Sequence, residues 1–224
     1  MARRGHHTLE QIKQMVLVAA EDLVIQGGLS QLRVRNIAAK IGYTVGSIYM
    51  VFENMDDLIL HIKGRSLDAL AEQMNQVKAA NSEQHLEELA SIYIKYASQD
   101  FNRWRLLFEH SLSVDNEIPS WYQNKLENLY GKFERQFASL APQLSATRLK
   151  QTTLAFLGGI HGICSLMLTN QLFGFNQNDL EESVALLTRR FIQEGCADSI
   201  DRTTTCNNTA ADHWRLGPIA NPSY

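Results

Sequence analysis

The sequence predicts an all-α protein. Apolar residues recur at helical spacing along most of the chain, and no strand pattern or internal repeat interrupts them. Residues that cap helices stand at the boundaries of the apolar stripes. With 224 residues, 45% hydrophobic and 20% charged, the chain is long enough to bury a substantial core. Its length suits one domain of moderate size or two small ones.

Residues 9–74 predict four helices. The first begins near Leu9 and is stopped by the Gly27-Gly28 pair. A short second helix, 34–41, ends at Gly42, and Thr44 is positioned to cap a third over 45–52. Asn54, with an acidic residue three positions later, starts a long fourth helix in the manner of a capping box.

Five further helices are predicted after residue 80, which brings the total to about nine. Their predicted starts or spans are Ser82, 101–112, Pro119 at a first-turn position, Ser145 to about Asn170, and Asn178 with Glu181 through to Gly195. The remaining stretch, 196–224, loses its periodicity and contains two of the four prolines. We expect this stretch to be a mostly disordered tail.

Charge is distributed unevenly along the chain. Residues 1–52 hold six basic and three acidic residues, a net charge of +3, and the remaining 172 residues carry −6. A basic head on an acidic body points to a polyanionic partner for the head alone. The alternative is an uneven spread of solvated charge without a partner.

Cysteine usage and hydropathy narrow the compartment. Three cysteines without a C-x-x-C motif provide no disulfide framework, so a cytoplasmic, reducing location fits best. The N-terminus leads into an amphipathic segment and does not resemble a signal peptide. The most apolar stretch, 154–168, falls short of the about 20 residues that span a bilayer. These features argue against secreted and membrane proteins.

Segment 34–52 has the pattern of a helix-turn-helix. Ala38 supplies the small residue that two crossing helices need, and Gly42 supplies a residue that tolerates positive φ in the sharp turn. Ile48 supplies an apolar anchor from the second helix into the core. The three residues fall at the spacing that helix-turn-helix motifs show.

A longer match makes the motif more specific. The segment closely resembles the N-terminal domain of TetR-family regulators over about residues 9–67, and the matching positions are Ile37-Ala38, Gly42, Thr44, Gly46, Ser47, Ile48-Tyr49 and Phe52. Departures are Arg33 where the family often has Thr or Ser, Tyr43 where Val is common, and Val45 and Met55 where Lys is common. The missing lysines leave open how many DNA-backbone contacts the protein makes.

The resemblance implies a double-stranded DNA operator as partner. In such motifs the N-terminal end of the second helix enters the major groove while the first helix crosses the backbone. The implied DNA-binding residues are Arg33, Val34, Arg35, Thr44, Val45, Gly46, Ser47, Tyr49 and Met50. Of these, Val45, Gly46, Ser47 and Met50 are candidates for base edges, whereas Thr44, Tyr49, Arg33, Arg35 and also Lys13 suit phosphates.

Alternative interpretations remain for these positions. Tyr49 and Met50 are packing residues if they face the core, and Arg33 or Arg35 is merely solvated if it lies away from DNA. Lys40 is expected on the far side of the motif as a solvated residue. Arg3 and Arg4 are candidates for a flexible arm in the minor groove. The scaffold itself is assigned to Ile37, Ala38, Gly42, Ile48 and Phe52.

The body is rich in aromatic residues, eight of which lie within 101–137. Helical core packing explains them, but the TetR resemblance implies that some line an apolar cavity for a small apolar or aromatic effector. The candidate ligand-binding residues are Trp104, Phe108, Trp121, Tyr122, Tyr130, Phe156 and His161. His161-Gly162 also resembles the body of a TetR subgroup in which a Trp precedes a His-Gly pair. His161 is alternatively a satisfied core histidine.

The last two predicted helices, 145–170 and 178–194, correspond to those from which the family builds its homodimer. Gly158, Gly159, Gly162 and Ser165 form a small-residue face on the first of them that lets another helix approach closely. The resemblance therefore implies a DNA-binding domain over 9–69, a ligand-binding and dimerisation domain over 70–195, and the tail.

The function expected from these features is a homodimeric, ligand-responsive transcriptional regulator, a repressor, on a palindromic operator. One alternative is a TetR-like architectural or division-linked protein with a protein partner and no small-molecule inducer. Another is a helical enzyme or ligand carrier with a vestigial head. The sequence has no metal-ligand spacing, P-loop, dinucleotide motif or nucleophile elbow, so we expect no catalytic residue, metal or cofactor.

Overall fold

The computed structural model describes residues 7–110, 118–169, 171, 174 and 176–197. Within these residues the chain forms nine α-helices and no strand, which confirms the all-α prediction. The helices are α1 Leu9–Gly27, α2 Val34–Ile41, α3 Val45–Ile48, α4 Met55–Asn75, α5 Ser82–Gln99, α6 Phe101–Glu109, α7 Ser120–Leu140, α8 Ala146–Leu168 and α9 Gln177–Ala197. A single 3-10 turn, Leu29–Gln31, follows α1.

Several helices begin where their capping residues predict. The Asn54 side chain accepts a hydrogen bond from the Asp57 backbone N–H at 2.8 Å and starts α4. Thr44 caps α3, and the Ser145 hydroxyl accepts from the Arg148 backbone N–H at 3.3 Å at the start of α8. Each cap satisfies one of the backbone donors that a helix leaves unpaired at its N-terminus.

Two predicted N-caps are wrong by one or two positions. Asn81, not Ser82, caps α5, because its side-chain oxygen accepts from the Gln84 N–H at 2.9 Å. Before α9 the capping residue is Asn176 instead of Asn178. Its side-chain oxygen accepts from the Asn178 N–H at 2.8 Å, while the carboxylate of Asp179, not Glu181, accepts from the Asn176 N–H at 2.7 Å.

Other boundaries also differ from the prediction. Pro119 lies at the N-cap of α7 and not within its first turn. The helix predicted over 101–112 ends at Glu109, the one predicted to about Asn170 ends at Leu168, and α9 passes Gly195 to end at Ala197. The first two residues of the expected tail, 196 and 197, therefore belong to α9. The rest of that tail lies outside the described residues.

Two clusters of buried apolar residues organise the molecule. The head core collects residues of α1 to α3, such as Val16, Ile37 and Ile48, together with Leu58 and Ile62 of α4. The body core collects residues of α4 to α9, and its largest members are Tyr96, Trp104, Phe133, Phe137 and Phe156. Helix α4 thus contributes to both cores: Leu58, Ile59 and Ile62 lie in the head core, and Leu60, Leu67, Leu70 and Met74 lie in the body core.

Helix α8 is longer than its most apolar stretch. It has 23 residues, and its most apolar part has a mean hydropathy of 1.3. By length and composition the helix is therefore able to cross a bilayer. The apolar stretch 154–168, expected to be too short to span a bilayer, is one part of this longer helix. The same test is passed by apolar helices of proteins that do not enter membranes. Only 22% of the most apolar part of α8 is buried within this chain.

Candidate functional sites: a nucleic-acid interface and a cavity

The turn between α2 and α3 depends on Gly42. Its φ of 71° is left-handed, which disfavours any residue with a Cβ. The backbone N–H of Tyr43 reaches back to the Ala38 carbonyl at 3.0 Å and closes the turn. Space is not the constraint, because a Cβ on Gly42 would meet no described atom within 4 Å. The glycine is therefore needed for backbone conformation alone.

The predicted scaffold residues lie inside the head core. Ile37, Ala38, Ile48 and Phe52 are all buried there. The Thr44 hydroxyl accepts from the Ser47 backbone N–H at 3.2 Å and shares a second hydrogen bond with the Ser47 hydroxyl at 2.9 Å. These contacts fix the entry of the chain into α3.

Helix α3, the second helix of the helix-turn-helix, is shorter than predicted. It covers Val45–Ile48, whereas 45–52 was expected. After Ile48 the segment tightens, since the Val51 N–H bonds to the Ile48 carbonyl, three residues back, at 3.1 Å. The turn still delivers Phe52 into the head core, because the Phe52 N–H also reaches the Ile48 carbonyl. The prediction for 45–52 therefore places the buried residues correctly but does not anticipate the tightened last turn.

Most of the predicted DNA-binding residues are exposed. Tyr49 and Met50 are 45% and 67% exposed, which counts against packing residues. Arg33, Arg35, Thr44 and Gly46 are also exposed, whereas Val34, Val45 and Ser47 are partly buried. A Cβ on Gly46 would meet only Thr44, at 3.8 Å. We call these nine residues, Arg33, Val34, Arg35, Thr44, Val45, Gly46, Ser47, Tyr49 and Met50, the recognition strip.

Other basic residues near the head are already engaged. The Lys13 ammonium lies 5.5 Å from the centre of the Phe52 ring. Lys40, expected to be solvated, lies 3.3 Å from a carboxylate oxygen of Asp22 in α1. Arg3 and Arg4 lie outside the described residues.

The body holds a cavity of about 200 Å³ between α4, α5, α6, α7 and α8. Four of the seven predicted ligand-binding residues line it: Phe108, Tyr122, Tyr130 and His161. The other lining residues are Leu67, Leu70, Tyr93, Leu107, Leu126, Leu129, Leu154, Leu157 and Gly158. Sequence reasoning missed these nine, because lining leucines and core leucines share the same helical spacing.

Three predicted residues do not line the cavity. Trp104 is buried behind His161, with ring centroids 5.0 Å apart. Trp121 packs against His61, with ring centroids 4.8 Å apart. Phe156 lies in the body core, 5.2 Å from Phe137, because it stands about 140° around α8 from His161.

A chain of hydrogen bonds leads from the body core to the cavity wall. The Trp104 Nε1–H donates to the Tyr93 hydroxyl oxygen at 3.1 Å, and that hydroxyl lies 3.2 Å from Nδ1 of His161. Phe108 covers the imidazole with ring centroids 3.8 Å apart. Burial lowers the pKa of His161 and raises the pKa of Tyr93. His161 is therefore neutral at pH 7.

A second, outer cleft of about 530 Å³ adjoins the cavity. It shares Tyr130, Leu154 and Leu157 with the cavity and adds Glu127, Glu134, Lys150 and Thr153. The described residues that line the cavity include no Asp, Glu, Lys or Arg, whereas the outer cleft has three such residues. In the part of the chain that the structure describes, no group of three His, Cys, Asp or Glu side chains is placed to hold a metal.

A helix-turn-helix head with an exposed recognition strip, joined to an all-helical body, is the architecture of a DNA-binding transcriptional regulator. Residues 16–62 match the model for the bacterial regulatory proteins of the tetR family. The match lies within the head and includes the helix-turn-helix. The closer resemblance to a Trp-His-Gly subgroup stays a prediction. A comparison with curated proteins found no match.

Solved structures share the fold over most of their length. The transcriptional regulator FadR from Bacillus subtilis, in complex with stearoyl-CoA, has a TM-score of 0.63 and 15% identity, covering 80% of this chain and 97% of FadR. A tetR-family regulator from Streptomyces coelicolor has a TM-score of 0.62 and 16% identity, covering 88% and 97%. RolR in complex with resorcinol has a TM-score of 0.61 and 13% identity, covering 86% and 95%.

Proposed function

We propose that the protein is a homodimeric, ligand-responsive repressor that acts in the cytoplasm on a pseudo-palindromic operator. The head, residues 9–69, binds DNA, and the body, residues 70–195, binds the effector and the second subunit. The exposed recognition strip carries this proposal, because large residues such as Tyr49 and Met50 face solvent beside a buried scaffold. In a helix-turn-helix, exposed side chains at this position are available to contact DNA.

The recognition strip offers both kinds of contact that DNA recognition requires. In the proposal Val45, Gly46, Ser47 and Met50 face base edges. The open space above Gly46 allows the base edges to come close. Arg33, Arg35, Thr44 and Tyr49, with the backbone next to Val34, hold the phosphates and fix the register.

Helices α8 and α9 support a dimer. Leu166 and Leu186 are 42% and 52% exposed on these two helices. Among the described residues no atom lies within 4 Å of a Cβ placed on Gly162, whereas the space beside Gly158 belongs to the cavity. Gly159 differs, because its Cβ would approach Leu187 of α9 to 2.8 Å, so this glycine serves packing within the chain. The open small-residue face and the exposed leucines together fit a second copy.

Helix α6 connects the cavity with the head. Phe108 and Leu107 line the cavity, whereas Leu106, on another side of the same helix, is buried in the head core. The Asn102 side-chain amide also donates to the Ile25 carbonyl of α1 at 2.9 Å. A ligand that displaces Phe108 would therefore shift α1 as well. If the ligand binds better to the shifted state, it changes the spacing of the two heads in the dimer.

The cavity favours an effector over the alternative of an architectural protein without an inducer. The architectural alternative would require a body without an accessible cavity, whereas this body has a cavity of about 200 Å³. FadR and RolR, which share the fold, were each solved with a small molecule bound. The third alternative, an enzyme or carrier with a vestigial head, leaves the exposed recognition strip without a role.

DNA selected from a random pool by the full-length protein tests the proposal. Footprinting of the selected DNA should show two protected half-sites about 34–36 Å apart along the helix axis. Arg35→Ala should weaken binding and reduce its dependence on salt, whereas Lys78→Ala, at an exposed site between α4 and α5, should not. No selectable DNA, or an affinity that stays flat between low and moderate salt, would show that the protein is not a DNA-binding repressor.

A further inference from the structure

We propose that the cavity selects a small, neutral, single-ring molecule carrying a hydrogen-bond acceptor, which receives the Nε2–H of His161. This names the effector class of the regulator proposed above and rests on that function only for its biological role. The inference depends on three properties of the cavity: its volume, the placement of charge around it, and the hydrogen bonds that fix the tautomer of His161.

The volume limits the ligand to about one ring. The cavity measures about 200 Å³, and an apolar protein cavity of about 150 Å³ is known to hold benzene. Drug-sized ligands usually occupy about 300–1,000 Å³. A ring with one short substituent therefore fits within the cavity, whereas a long acyl chain would have to extend past Tyr130 and Leu154 into the charged outer cleft.

The placement of charge makes a neutral ligand favourable. The lining consists of leucines, Gly158, aromatic side chains and His161. Glu127, Glu134 and Lys150 line only the outer cleft. The Lys63 ammonium lies 5.9 Å from the centre of the Tyr122 ring and donates to the His110 carbonyl at 3.0 Å, so it is already engaged. A charged ligand inside the cavity would lose its hydration without a compensating partner. Because burial also keeps His161 neutral, the wall supplies polarity without charge.

The hydrogen-bond chain fixes which nitrogen of His161 carries the proton. The indole N–H of Trp104 only donates, so the Tyr93 oxygen is its acceptor. We infer that the Tyr93 hydroxyl donates its own proton to Nδ1 of His161, 3.2 Å away, because the structure gives that proton no other acceptor among the described residues. A neutral imidazole that accepts at Nδ1 carries its proton on Nε2.

The second imidazole nitrogen is left for the ligand. Among the described residues the structure gives Nε2 of His161 no hydrogen-bond partner, although the residue lines the cavity. Phe108, tilted by 38° against the imidazole with ring centroids 3.8 Å apart, holds the ring in place. A donor that is oriented, neutral and unpaired at an apolar wall selects an acceptor, such as a ketone or ether oxygen. Tyr93 and Trp104 act as positioning residues, because they reach the ligand only through His161.

Calorimetry on the full chain with matched probes tests the acceptor. Acetophenone carries the oxygen, isopropylbenzene has nearly the same shape without it, and benzoate adds a charge. In His161→Leu the preference for acetophenone over isopropylbenzene, measured as the ratio of their dissociation constants, should fall by about tenfold, because one hydrogen bond is lost. His161→Gln, which keeps an N–H donor, should restore part of the shift. An unchanged ratio, or benzoate binding tighter than acetophenone, would overturn the proposal.

The tautomer has its own readout, which mere packing would not change. Nitrogen-15 NMR of histidine-labelled protein, with His161 assigned from the spectrum of His161→Gln, should show the Nε2–H form. Tyr93→Phe should mix the two tautomers and weaken the acetophenone preference while the chain remains folded. A wild-type Nδ1–H form contradicts the inference.

The same samples separate this inference from the proposed function. If wild type binds its selected DNA and the ratio of dissociation constants does not change in His161→Leu, the ligand class is wrong and the DNA-binding regulator stands. If wild type selects no DNA while the ratio changes as expected, the cavity chemistry stands and the proposed function is wrong.

Discussion

The Nε of Arg65 in α4 lies 2.8 Å from the carboxylate oxygen Oε1 of Glu21 in α1. Arg103 of α6 approaches the same oxygen with Nη2 at 3.8 Å. One carboxylate therefore joins α1 of the head to both helices that contact the body. Burial raises the pKa of Glu21, and the two guanidinium groups act in the opposite direction.

Removing one member of this ion pair should destabilise the protein. Arg65→Ala leaves the partly buried Glu21 carboxylate with only the more distant Arg103, so the thermal midpoint should fall. Glu21→Gln in the same chain should recover part of the loss, because no charge is then left unpaired. Scanning calorimetry of the two single variants and the double variant measures the coupling. Strictly additive changes in the midpoint would show that the pair contributes nothing as a pair.

The crossing of α4 and α7 predicts opposite effects for two glycine substitutions. A Cβ on Gly64 would approach Cζ3 of Trp121 to 2.8 Å, so Gly64→Ala should cost about 1–3 kcal/mol through overpacking. Gly131 in α7 meets only the end of a flexible arginine at 3.4 Å. Gly131→Ala should therefore stabilise by about 0.5–1 kcal/mol. Urea unfolding measures both, and equal effects would contradict this packing.

His161 predicts a pH dependence of stability. Burial lowers its pKa below about 6.5, the value expected in the unfolded chain. Between these two pKa values the unfolded chain binds more protons, so stability falls as the pH falls below about 6.5. The urea midpoint of wild type should therefore drop more between pH 7.5 and pH 5.5 than that of His161→Leu. An equal drop in both proteins would mean that His161 titrates as an exposed residue.

The proposed dimer predicts which exposed leucines matter. Leu166→Glu places a charge on the exposed apolar side of α8 and should convert the dimer to a monomer, as measured by light scattering during size-exclusion chromatography. Val18→Glu, at an exposed position of α1, serves as the matched control and should leave the mass unchanged. A wild-type monomer, or a dimer that tolerates Leu166→Glu, would remove α8 from the interface.

Local signals predicted most of the head. Gly42 and the pair Asn54 and Asp57 act through neighbours within a few residues, so their roles follow from spacing. The Lys40–Asp22 ion pair joins residues of two different helices, and spacing gives no sign of it. In the body, helical periodicity marks His161 and Phe156 equally as candidates. Only the packing of α8 decides that the first lines the cavity and the second the core.

The central claim is that the recognition strip binds DNA. Fluorescence anisotropy on the selected operator should show at least about tenfold weaker binding for Tyr49→Ala with Met50→Ala, since lost DNA contacts cost about 1–3 kcal/mol each. The thermal midpoint should not change, because both side chains are exposed. Val18→Ala with Ile25→Ala, an exposed pair on α1, should bind like wild type. Equal affinity of wild type and the Tyr49, Met50 variant would contradict the account.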